Sequence, residues 1–64
     1  MMRREELEKK YPNMEIGIDG EFVYFEANAQ RFSCVLDDNV AEPEELLEDE
    51  GFCTFLDKWF NSTE

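Results

Sequence analysis

Residues 14–36 read MEIGIDGEFVYFEANAQRFSCVL, and the fold follows from how this stretch doubles back on itself twice. Asp19-Gly20 lies between two runs rich in apolar and β-branched residues, and a two-residue hairpin turn with φ > 0 at both centres favours this dipeptide. With Asp19-Gly20 at the centre, Ile18 opposes Glu21, Ile16 opposes Val23 and Met14 opposes Phe25. Directly opposed residues share a face of the sheet. Met14, Ile16, Ile18, Val23 and Phe25 therefore form a core side, with Glu15, Gly17, Phe22, Tyr24 and Glu26 on the other. A second tight turn at Asn28-Ala29 sets Phe32 against Phe25 and Cys34 against Val23 on the core side, and Arg31 against Glu26 on the outer side. The two turns agree on one set of faces, and a slip of one residue would reverse it. The stretch predicts an antiparallel meander with strands at about 14–18, 21–27 and 30–36.

Helical signals flank the meander. Residues 2–10 (MRREELEKK) are good helix formers, with Glu5/Lys9 and Glu6/Lys10 at i,i+4 in the favourable orientation. Leu7 and Tyr11 are the whole apolar stripe of that segment, and Tyr11-Pro12 stops it, so residues 1–11 read as a loosely docked helical arm. Downstream, Glu42-Pro43-Glu44-Glu45 places Pro at a first helical position with acids in the first turn, predicting a short helix at 43–49. Gly51 is expected to break or bend it. Phe52, Phe55, Leu56, Trp59 and Phe60 then recur at i, i+3, i+4, i+7 and i+8, the stripe of a helix laid on a sheet. The expectation is one α+β domain over residues 1–64, a three-stranded meander packed by a C-terminal amphipathic helix, in the order α-β-β-β-α-α.

Size and composition limit what such a domain does. A 64-residue chain buries only about 60% of the surface its unfolded form exposes, which leaves no room for a separate substrate domain. Without His, the usual base for a Ser or Cys nucleophile is missing, and so are Cys/His zinc sites. The three glycines form no phosphate-cradling loop. Cys34 and Cys53 are too few for a disulfide scaffold and read as small buried apolar side chains, reduced in a cytoplasmic setting. The longest apolar run, Phe22-Val23-Tyr24-Phe25, is far short of a membrane span, and Glu5, Glu6 and Glu8 stand where a secretory signal would be apolar. No enzyme, cofactor or metal is expected.

Charge is the unusual feature. Six Lys+Arg against 17 Asp+Glu give a formal net charge of −11. Residues 37–50 hold eight of the acids and no base: Asp37, Asp38, Glu42, Glu44, Glu45, Glu48, Asp49 and Glu50. They do not fit a calcium loop, since counting from Asp37 the fifth position is Ala41 and the sixth, where a Gly is needed, is Glu42. Phosphate binding would need basic patches that the chain lacks, so nucleic acid is not expected as a direct partner. One reading of the acids is a solvated face; the other is an electrostatic partner-binding surface, with the acids standing in for a row of phosphates on a basic groove.

Phe22, Tyr24 and Val35 share the outer sheet face and are the candidate apolar contacts. Three occupants fit that face: the first helix through Leu7 and Tyr11, a second copy of the chain, or another protein. In size and charge the chain resembles the DNA-mimic and anti-defence inhibitors encoded by phages and mobile elements. That resemblance is of general character and transfers no residue. It implies a stoichiometric inhibitor that blocks a basic, nucleic-acid-binding surface of a partner protein. The alternative is a non-inhibitory adaptor or subunit domain that homodimerises through the sheet face, with the acids serving solubility.

Overall fold

The structure, a computed structural model, describes residues 1–35 and 42–62. Its order is helix α1 (Arg4–Lys10), strands β1 (Glu15–Asp19), β2 (Phe22–Ala27) and β3 (Gln30–Val35), a 3₁₀ segment (Pro43–Glu48) and helix α2 (Glu50–Phe60). The strands form one antiparallel sheet in the order β1-β2-β3. This is the α+β meander expected from the sequence, with one face of the sheet covered by α2 and the 3₁₀ segment.

The second hairpin has the predicted register, with Phe25 opposite Phe32, Val23 opposite Cys34 and Glu26 opposite Arg31. Asn28 and Ala29 both adopt positive φ, 53° and 63°, as the tight turn requires. An alanine in that conformation is strained. The Asn28 amide Nδ2 donates to the Phe60 carbonyl at 2.8 Å and so ties the turn to the end of α2.

The first hairpin differs from expectation by two residues. Asp19 opposes Phe22, Ile18 opposes Val23, Gly17 opposes Tyr24 and Ile16 opposes Phe25. The central pair is Gly20-Glu21, and of the two only Gly20 takes positive φ, 65°. A turn with glycine first needs one left-handed residue instead of two, and Asp19 stays in the strand. A shift of two preserves every face while the partners change, but Ile18, expected in the core, sits on that face at the open end of the sheet and is exposed.

The C-terminal half also departs in detail. Residues 43–48 wind as a 3₁₀ segment rather than an α-helix, a geometry common in such short pieces. The break before α2 falls at Asp49 and not at Gly51. Asp49 is extended, and its side chain accepts from the Gly51 N–H at 2.8 Å, capping the new helix. Gly51 lies within α2.

The core comprises Leu7, Val23, Phe25, Ala27, Leu47, Cys53, Leu56 and Phe60. Along α2 the buried line is therefore Cys53, Leu56 and Phe60, rotated from the predicted stripe. Phe55 and Trp59 are each 40% exposed. They rim the sheet instead, because Phe32 of β3 sits beneath them with T-shaped contacts at 5.0 and 5.5 Å and a further one to Phe52 at 6.0 Å. The Trp59 Nε1–H donates to the Arg31 carbonyl at 3.1 Å, anchoring the rim to β3.

Candidate protein-binding surface

The destination of α1 decides which surface is left open. Leu7 is fully buried in the core between the sheet and α2, worth roughly 1.5–3 kcal/mol for a leucine. The Tyr11 ring meets Phe60 edge-on at 5.1 Å, and its hydroxyl donates to the Asp57 carboxylate at 3.0 Å. Lys10 Nζ reaches the same carboxylate at 2.8 Å. Hydrogen bonding from Lys10, then from Tyr11, holds the Asp57 carboxyl below its ordinary value. At the other end of the arm the Met2 N–H donates to Thr54 Oγ1 at 2.9 Å. Leu7 and Tyr11 are thus committed to α2, and of the three occupants that fit the outer sheet face the first helix drops out. The reason is geometric: the apolar stripe of α1 is two side chains wide, and both are used on the helical layer.

The outer sheet face carries three cross-strand rows. Glu15, Glu26 and Arg31 form the first, Gly17, Tyr24 and Ser33 the second, and Asp19, Phe22 and Val35 the third. Phe22 and Val35 are 50% and 63% exposed. Tyr24 is half-buried, lying over Gly17 on one side and under the Arg31 guanidinium, whose carbon is 4.1 Å from the ring centroid. Asp19, Phe22, Tyr24, Arg31 and Ser33 line a shallow concavity of about 290 Å³. The sequence reading selected Phe22, Tyr24 and Val35 and missed Asp19 and Arg31. The signal for Asp19 was Gly20: glycine as first turn residue places Asp19 across from Phe22.

Of the acidic run, Asp37 and Asp38 lie outside the described residues. Glu42, Glu44, Glu45, Glu48, Asp49 and Glu50 are all exposed on the 3₁₀ segment and the start of α2. Several have local work. The Glu45 carboxylate accepts from the Glu42 N–H at 3.3 Å, Asp49 caps α2, and Glu50 pairs with Arg3 at 3.5 Å. Arg4 bonds Glu8 at 2.9 Å, and its pKa is raised by that bond first, with added attraction from Glu44 and Glu48. Arg3 and Arg4 therefore lie beside part of the run and offset some of its charge.

Both thiols are free. Cys53 is buried, its S–H donating to the Leu47 carbonyl at 3.0 Å, and Cys34 is half-buried. Burial pushes both thiols up. Among the described residues no three His, Cys, Asp or Glu side chains are grouped to hold a metal ion, and no helix is long and apolar enough to cross a membrane.

Comparison with protein-family models, curated proteins and solved structures finds no match to this chain.

Proposed function

We propose that the protein is a small acidic binding module that occupies and blocks a basic surface of a partner protein. The outer sheet face makes the contact, and the acids of the 3₁₀ segment and early α2 steer the approach. A nucleic-acid-binding groove is the kind of basic surface such a charge would fit. The observation that carries this reading is the pairing of Phe22 with Val35 on a sheet face that α1 leaves uncovered. An exposed aromatic anchor on a chain of net charge −11 supplies the ingredients of a steered protein interface. Stoichiometric binding also suits a chain whose most distinctive groups are surface carboxylates.

The test is capture of partners on the immobilised protein at about 0.1 M and about 0.5 M salt, with and without competing duplex DNA. The parent is compared with a Phe22→Ser/Val35→Ser variant and with a Glu44→Gln/Glu48→Gln variant. The expected result is a partner retained at low salt, lost by the sheet-face variant, and bound more slowly by the carboxylate variant. Displacement by DNA assigns the basic surface to nucleic-acid binding. Equal retention by all three proteins at both salt concentrations overturns the reading.

A further inference from the structure

We infer that the outer sheet face receives an arginine side chain of the partner, seated on Phe22 beside Asp19. This rests on the reading of that face as the protein-binding surface. The face already holds one guanidinium: the Arg31 carbon sits over the Tyr24 ring, 4.1 Å from its centroid, with Glu26 directly across the strand pair. Arginine stacks on aromatic faces and pairs with carboxylates, and here it uses its own chain's ring. Further along the face an aromatic ring and a carboxylate recur in the row that Val35 completes. Phe22 is half exposed, Asp19 stands directly across from it, and both line the concavity they share with Tyr24, Arg31 and Ser33.

Charge complementarity selects the occupant. The outer face carries Glu15, Asp19, Glu26 and Arg31, so it is net negative even with its own arginine, in a chain of net charge −11. A second copy would set like charges face to face. Glu26 stands across from Arg31 and Glu15 across from Glu26, which leaves Asp19 as the carboxylate in the row of Phe22. The concavity of about 290 Å³ takes one side chain and is too shallow to enclose a free ligand. An extended partner segment carrying arginine between small apolar residues matches it, the apolar residues meeting Val35.

The experiment is an NMR titration of the full chain with a short peptide holding one arginine between two valines, against the same peptide with citrulline, which keeps the shape and removes the charge. The arginine peptide is expected to shift the Asp19, Phe22, Tyr24 and Ser33 signals and to bind about threefold to tenfold more tightly than its citrulline counterpart. Asp19→Asn and Phe22→Ala should each erase that preference, with unchanged Leu7 and Phe60 signals showing that the fold is intact. Equal binding of both peptides at the sheet face overturns the arginine site while leaving a protein-binding face in place. Shifts confined to residues 42–50 move the cation site to the acidic run and also overturn it. Binding of neither peptide removes the arginine site, and the capture comparison with Phe22→Ser/Val35→Ser then decides the broader reading separately. Elution at twice the chain mass, abolished by Phe22→Ser, assigns the face to a second copy and overturns the inference.

Discussion

The ring of Tyr24 lies across its strand partner Gly17 so closely that a Cβ built on Gly17 would stand 2.6 Å from Cε2 of the ring. Glycine is required there by the ring and not by the backbone, because Gly17 is not among the residues with positive φ. With Arg31 above, the three residues form a stack through the middle of the outer face.

Gly17→Ala is therefore expected to destabilise the protein by about 1 kcal/mol, the low end of the cost of overpacking, because the atoms in the way belong to a half-buried ring that can shift. Absent the clash, the same change would stabilise by about 0.4–1 kcal/mol through the unfolded state. The sign of the shift in a urea unfolding midpoint separates the two outcomes.

The tie between α1 and α2 has a defined pH dependence. Asp57 has a folded pKa below its ordinary value of 3.8, chiefly through Lys10 and then Tyr11. Its contribution is present above that value and is lost as pH falls through the lower folded one. The stability gap between parent and Asp57→Asn should be full near neutral pH and should close on acidification below about 4. A gap that persists to pH 2 would contradict the linkage. Lys10 and Tyr11 are shifted upward, Lys10 by its bond to Asp57 and Tyr11 mainly by burial, so their part is present below pH 10 and is lost at higher pH. Tyr11→Phe, which removes one hydroxyl bond, should cost about 0.5–1.5 kcal/mol near neutral pH.

Neighbouring positions on α2 should respond very differently to truncation. Leu56 is fully buried and Phe55 is 40% exposed. Leu56→Ala should cost about 2–5 kcal/mol, enough to unfold so small a domain, whereas Phe55→Ala should cost less than about 1.5 kcal/mol. Circular dichroism of the two variants checks this, and comparable losses would mean that the helix is rotated toward the stripe first read from the sequence.

The thiols should label in sequence. Cys34 is half-buried and Cys53 buried, and burial raises the pKa of each, which leaves little thiolate at neutral pH. A thiol reagent should modify Cys34 slowly and Cys53 only upon unfolding. Mass spectrometry of partially labelled protein reads the order, and Cys53 labelled first would contradict its place in the core.

Much of the architecture was legible because it depends on local chemistry. Asn28-Ala29 and the alternation around it specified the second hairpin in full. The first hairpin was legible only in its faces, since Asp19-Gly20 and Gly20-Glu21 turns differ by an even shift that leaves the apolar pattern unchanged. The contact between Gly17 and Tyr24 distinguishes the two and is invisible in the alternation. Phe22 and Val35 were identified as surface candidates by face alone. Asp19 was not, because its role depends on the register.

The sequence by itself determined the meander, the division of its side chains between two faces, and the concentration of negative charge after β3. These follow from periodicity and turn residues acting over a few positions. Tertiary structure decided where α1 docks, how α2 is rotated, and which aromatic residues remain exposed. Leu7, Tyr11, Phe55 and Trp59 are apolar enough for several surfaces, and only competition for one small core assigned Leu7 and Tyr11 inward and left Phe55, Trp59 and Phe22 at the rim and on the open face.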